Sequence, residues 1–415
     1  MRFKVIYVYV LLSIICSCQT SKDRQSDVNE IEKNISEKNE IIEIDPRKFN
    51  ENELVLSDFV SDIIYIPLSN QLFLGHIIKM EITKNAIYVV ADAAGTGGEG
   101  NGNRRLFRFD KNGNNPVQIG RIGKGPEEYL DSKNFVVDEK RGRVYINGRL
   151  NTILVYDIKG SYIRDFKLND DNGRVNQMSL LGDNLFMAEQ SLGANTKYLW
   201  TITDTLGNEL AHKHNSTQAY KTRTGSRGGN SQTNGQILYW VSYNDTVFKV
   251  SPDFSFRTSY IITPGEHRVP KKDLPISLEL PIRLLEYYSP HYFIETKHYL
   301  LSRYNYKGKF AYLFLDKDTN KTFISYFESK KDVRGGIANN FDGGLMFCPD
   351  GYFEEGVNEY LLDCIQPYEL KQHIISDAFV NINPKYPEKK KALEKLANSL
   401  NEIDNPVLMF VKLKK

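Results

Sequence analysis

Four turns in this chain recur at one fixed interval. "RLFRFDKNGN" turns at Asp110, "TILVYDIKGS" at Asp157, "LWTITDTLGN" at Asp204 and "TVFKVSPDFS" at Ser251, each 47 residues after the one before. A fifth copy, "AYLFLDKDTN", turns at Asp316 after a longer gap. In each, an aromatic or β-branched stretch runs into a polar turn, and three of the turns place Asp three residues before Gly, which is hairpin chemistry. A further strand-like segment precedes each copy: "AIYVVAD" from 86, "RVYINGR" from 143, "NLFMAEQ" from 184, "QILYWVS" from 236 and "HYLLSRY" from 298. "GLMFCPD" from 344 adds a sixth.

Four antiparallel strands in a period of 40 to 50 residues is the arithmetic of a propeller blade. A sandwich does not explain so long and constant a period, and the apolar pattern lacks the 3.6-residue spacing of a helical solenoid. The six starts predict an all-β, six-bladed propeller. Its sixth blade shows early strands near 337 to 348, and "SDIIYIPLS" (61–69) and "NPVLMFVKLKK" (405–415) are expected to complete it, pairing the two ends of the chain. Two insertions interrupt the pattern. Residues 264–289 carry four prolines and read as an irregular loop, and 387–404 place Leu393, Leu396 and Leu400 on one helical face.

The first residues point to export. Arg2 and Lys4 precede an apolar run, Val5 to Ile15, that is short for a membrane span. "ICSC" resembles a bacterial lipobox: small Ser17 precedes Cys18, whereas bulky Ile15 precedes Cys16. The expectation is a signal peptide over 1–17, lipid on Cys18, a polar tether over 18–53 and the propeller over 54–415. The membrane is then reached through the lipid anchor. Cys348 and Cys364 remain, as a disulfide or as two buried thiols. With 54 basic against 52 acidic side chains there is no basic stripe to suit nucleic acid.

"QIGRIGKGPEEYL" (118–130) looks like a phosphate loop, with Gly120, Gly123 and Gly125 between Arg121 and Lys124. A phosphate loop needs a helix after its glycines and a Lys-Ser or Lys-Thr end. "NFVVDE" follows instead and begins another strand, so the glycines are expected to shape the passage between blades. "IGRIGKGPEEYL", then "FVVDEKRGRVYI" and "ILVYDIKGSYIRDF", resembles the six-bladed β-propeller lipoproteins of Bacteroidota, which are related to NHL-repeat propellers. That family's inter-blade loop carries glycine where Glu127 stands here. The resemblance covers 54–415 and implies the fold. It implies little about activity, because propellers host many unrelated functions.

Among seven histidines, His212 and His214 lie two apart and share a strand face, although no further metal-ligand spacing accompanies them. No Gly-x-Ser-x-Gly elbow appears. The glycine-rich segments 93–105 and 220–231 read as hairpin tips. Neither catalytic residues, nor a metal, nor a cofactor is expected. The reasoned site is the channel mouth, where the leading strands of the blades enter: His76, Tyr129, Asn176, Arg227, His291, Tyr292 and Arg334. Cations, imidazoles and aromatics in that set suit a polar or anionic ligand such as a glycan or peptide. The reading is a lipid-anchored, extracytoplasmic binding or interaction protein, possible also as part of a surface uptake complex. The alternative is a lyase or hydrolase working in the channel.

Overall fold

The structure, a computed structural model, describes residues 41–50, 52–93, 104–148, 151–168, 177–188, 197–215, 228–241, 244–270, 285–327 and 334–415. Its strands form six sheets, four of four strands and two of five, arranged as the blades of a propeller. From the channel outward, blade one holds Leu74–Ile82, Ala86–Ala93, Arg104–Asp110 and Val117–Ile119. Blade two holds Phe135–Asp138, Arg143–Asn147, Thr152–Asp157 and Tyr162–Lys167. Blade three holds Gln177–Leu181, Asn184–Ala188, Tyr198–Thr203 and Glu209–His214. Gly229–Thr233, Gln236–Trp240, Thr246–Val250 and Phe256–Ile262 make blade four. Ser289–Glu295, Tyr299–Tyr306, Lys309–Asp316 and Thr322–Phe327 make blade five.

Blade six is built from both ends of the chain. Gly351–Glu355 and Asn358–Ile365 are followed by Val407–Leu413, which pairs antiparallel with Val60–Pro67, Val407 opposite Pro67 and Val411 opposite Ile63. The expected closure is therefore present. The early strands differ from expectation: between 337 and 347 there are only two isolated bridges, Ile337 to Phe347 and Ala338 to Val55, and the sheet starts at Gly351. Gly343, at φ +77°, turns the chain just before "GLMFCPD", and within it the Cys348 amide donates to the Asp363 carboxylate and not to a neighbouring strand.

Each blade is sandwiched between two others, so its strands bury both faces. On the second strand of blade one, Tyr88 and Val90 pack toward blade two with Phe135 and Ile146. Ile87 and Val89 pack toward blade six with Leu408 and Phe410. This alternation explains why the strand reads as an unbroken apolar run. A buried charge also lies between blades. Glu295 accepts from Tyr260 at 2.7 Å and meets Lys249 at 2.7 Å and Lys317 at 3.0 Å. Burial pushes its carboxyl up, but the two lysines outweigh burial and hold it below the ordinary value.

The repeated turns behave as one unit. The Oδ1 atoms of Asp110, Asp157 and Asp204 each accept two backbone amides, those two and four residues on, at 2.8–2.9 Å. Gly113, Gly160 and Gly207 follow with φ of 77°, 94° and 95°. In blade four Ser251 starts the turn and Phe254 takes the left-handed position at φ 70°. At the inter-blade loop, Glu128 Oε2 accepts from the Gly125 amide at 2.9 Å, and a Cβ at Gly123 would fall 1.9 Å from that oxygen. The carboxylate occupies the place where a phosphate would sit, so the loop shapes the chain.

The polar segment expected to be free tether up to residue 53 joins the propeller from Ile42. Ile42–Ile44 adds parallel to the outer strand of blade four, and Asn52–Glu53 adds parallel to that of blade five. Between them Asp45 accepts from the Arg47 amide and guanidinium at 2.9–3.0 Å, and these bonds hold its carboxyl at about 2. Three short helices, Pro367–Ile374, Asp377–Asn381 and Pro387–Ser399, fill the insertion between the middle strands of blade six. The third falls within the expected helical stretch, and the first two were not foreseen.

Closure gives a direct expectation. Deleting 405–415 should strip Val60–Pro67 of its partner and abolish the cooperative thermal transition followed by circular dichroism. A truncated protein that melts like the parent would refute closure as the source of cooperativity.

Candidate functional site

A cavity of about 610 Å³ runs down the axis, lined by the innermost strands of all six blades. An innermost strand has one backbone edge with no strand beside it, and polar groups left unpaired there are costly. Side chains of the preceding blade cover those edges at three junctions. Lys79 of blade one donates to the Phe135 carbonyl at 2.8 Å, and Glu81 accepts from the Val137 amide at 2.9 Å. Gln177 of blade three grips Asn230 by its backbone carbonyl at 2.9 Å and its amide at 3.2 Å. Tyr292 of blade five donates to the Pro349 carbonyl at the start of blade six. Enclosure pushes the Lys79 ammonium below and the Glu81 carboxyl above their ordinary values, each partly restrained by the other's charge.

The lining is acidic. Glu81, Asp138, Glu139, Asp183, Asp350 and Glu354 stand against Lys79 and Lys140. Most of these carboxylates have partners. Glu139 accepts from Thr83 Oγ1 and the amides of Lys84 and Asn85. Asp138 pairs with Arg141 at 2.7 Å, and Asp183 with Lys140 and Arg141 at 3.2 Å. Glu354 accepts from Tyr352 at 2.6 Å and from the Asn234 amide at 3.1 Å. Asp350 differs: within the described residues its carboxylate has no hydrogen-bond donor, although it is open to the channel. Surrounding protein, followed by the Asp363 charge, pushes it up to about 6 against the pull of Arg303.

Of the expected site residues, Tyr292 lines this cavity. His76 is exposed beside a bulge in the first strand of blade one and does not line it. Tyr129 is fully buried between blades one and two, where its hydroxyl donates to the Ile119 carbonyl at 2.9 Å. His291 bonds Asn305 Oδ1 at 2.9 Å and meets the Phe310 ring edge-on. Asn176, Arg227 and Cys18 lie outside the described residues.

Arg334 was expected to project toward an anion, yet its guanidinium is already engaged. Nη2 reaches both oxygens of Asp363 at 2.6 Å, Nε donates to the Met346 carbonyl at 3.1 Å, and Nη1 lies 3.3 Å from Glu369. Asp363 also accepts from the amides of Cys348 and Cys364 at 2.8 and 2.7 Å. The cluster ties the segment entering blade six to its second strand.

Cys348 and Cys364 are free thiols, and Cys348 donates to the Gly335 carbonyl at 2.7 Å. His212 stacks on Tyr198 at 3.9 Å and bonds Glu209 at 2.6 Å, with His214 edge-on to His212. Among the described residues no group of three or more His, Cys, Asp or Glu is placed to hold a metal ion.

Sequence reasoning passed over Asn230 and Asp350. "GGNS" read as part of a hairpin tip and "GLMFCPD" as a strand ending at Asp350, so neither residue was placed on the channel wall.

Six four-stranded blades around a polar axial cavity define a six-bladed propeller with a channel site. The chain belongs to the family described as Domain of unknown function (DUF4934), which matches residues 39–412. A crystal structure of a candidate exported protein from Bacteroides fragilis NCTC 9343 superposes with a TM-score of 0.66 at 17% identity, covering 91% of this chain and 100% of that one. A member of the DUF4221 family from Bacteroides vulgatus ATCC 8482 covers 89% of this chain and 100% of its own at 12% identity, with a TM-score of 0.46. At such identities the first likeness is one of fold. No curated protein matches the sequence.

Arg334→Ala should leave Asp363 buried and uncompensated and cost about 3–5 kcal/mol in chemical denaturation. Replacing both partners with apolar residues, Arg334→Met with Asp363→Leu, should recover much of that loss. A single variant as stable as the parent would contradict the structural role.

Proposed function

We propose that this protein is an extracytoplasmic, lipid-anchored binding module whose axial channel takes a small polar ligand, a sugar or the end of a peptide. The observation that carries the reading is the cavity itself. Its volume falls within the range of ligand sites, all six blades contribute to it, and Asp350 stands in it without a donor among the described residues. The acidic lining weighs against the anionic ligand that a mouth set with cations had suggested. Export and the anchor rest on the apolar start and on Ser17-Cys18. The name of the Bacteroides fragilis relative agrees with export. A second reading, a lyase or hydrolase in the channel, draws on Asp350, whose raised pKa suits a proton donor near neutrality.

Two measurements test this. Cys18→Ala should abolish acyl labelling and release the protein from the membrane fraction; label that persists on this variant would remove the anchor. Gln232, exposed in the channel wall, can be replaced to plug it. Full-length protein screened on glycan and peptide arrays should lose its hits on Gln232→Trp, and hits that survive the plug would move the site to the outer surface. Incubating the hits with the protein and looking for cleavage products separates binding from turnover.

A further inference from the structure

We propose that His212 and His214, on the outer strand of blade three, hold a divalent transition-metal ion of the zinc, nickel or copper kind on the rim of the propeller. Neither residue lines the axial cavity, so this site stands or falls independently of the channel reading.

Strand pairing places both rings on one face of an open edge. His212 lies opposite Thr201 and His214 opposite Tyr198, and among the described residues no strand pairs beyond Glu209–His214. Blades four and five differ, because Ile42–Ile44 and Asn52–Glu53 cover the corresponding edges. Residues two apart on a strand share a face. Here the two ring centroids are 4.9 Å apart, with the planes at 88°. Lys213, between them, points the other way and sits 3.9 Å from the centroid of the Phe256 ring in blade four.

The His212 ring is already prepared as a ligand. Its Nδ1 lies 2.6 Å from Glu209 Oε1. An ionised carboxylate only accepts, so Nδ1 carries the hydrogen and Nε2 of the neutral ring keeps its lone pair. A carboxylate behind an imidazole in this way fixes the tautomer and raises the basicity of the far nitrogen, as it does behind metal-binding histidines generally. Tyr198, only 6% exposed, stacks on the ring at 3.9 Å and 27° and fixes its plane. His214 is exposed and meets His212 and Tyr198 edge-on. Rotation about its side-chain torsions turns a ring nitrogen toward a point shared with His212 Nε2.

The donor set defines the ion. Neutral imidazole suits Zn²⁺, Ni²⁺ and Cu²⁺, whereas Mg²⁺ and Ca²⁺ take oxygen ligands. Two protein nitrogens leave the other positions to water, fewer than the four ligands of a structural zinc site. The ion is therefore an exchangeable guest on the rim and not a strut of the fold. Glu209 acts through His212 as a positioning residue, and its charge offsets part of the ion's.

Untagged full-length protein in detergent tests the site by Zn²⁺ calorimetry and Cu²⁺ electron paramagnetic resonance. Zn²⁺ should bind and Mg²⁺ should not. The Cu²⁺ spectrum should show coupling to two imidazole nitrogens in the parent and to one in His214→Ala. Zn²⁺ affinity should fall roughly tenfold or more in His212→Ala and His214→Ala, and to a similar degree in Glu209→Ala, with the thermal transition retained. Glu209→Ala should keep two coupled nitrogens, which separates positioning from ligation. Should His212→Ala unsettle Tyr198 and fail to fold, His214→Ala at its exposed position still decides. A parent that binds neither Zn²⁺ nor Cu²⁺, binding of Mg²⁺ as tight as that of Zn²⁺, or affinity and coupling unchanged in His214→Ala overturns the proposal. Affinity untouched by Glu209→Ala overturns the role given to that carboxylate.

Discussion

The ring depends on how closely the outer hairpin of one blade can approach the outer strand of the blade before it. Three glycines make that approach. A Cβ at Gly160 of blade two would fall 2.3 Å from the Gln118 carbonyl of blade one. One at Gly113 of blade one would fall 2.4 Å from the Pro67 carbonyl of blade six, and one at Gly207 of blade three 2.5 Å from the Phe166 ring of blade two. All three also hold positive φ, so a side chain is excluded twice over. The aspartate three residues earlier fixes the turn that delivers each glycine. One short motif therefore serves local geometry and long-range packing together.

That motif is also why the architecture was legible. Its interval counted the blades, and the apolar strands at both termini announced the closure. Legibility failed where pairing, and not composition, decides the outcome. "NEIIEIDPRKFNENE" is polar enough to pass for tether, yet parallel pairing to blades four and five and the Asp45–Arg47 clasp bring most of it into the ring. The site was harder still. Arg334 has the side chain expected of an anion ligand, but its destination was set by Asp363, 29 residues on, which no local pattern connects to it. Asp350 comes to the cavity wall only because the ring brings the start of blade six to the axis.

The channel wall shows a division of labour. Side chains such as Lys79, Glu81 and Gln177 complete the backbone of the next blade, and their polarity is spent on structure. A polar channel is in this sense an obligation of the fold, because bare strand edges line every propeller axis. Function must be sought in the residue left over after those duties are met. Among the described residues Asp350 is one such group.

The pairing of Val60–Pro67 with Val407–Leu413 has a consequence for how the chain is made. Almost the entire sequence lies between the two strands, so the contact that completes the ring carries a large loop-closure entropy and an extreme sequence separation. While the chain is being synthesised, Val60–Pro67 lacks this partner until Val407–Leu413 has emerged.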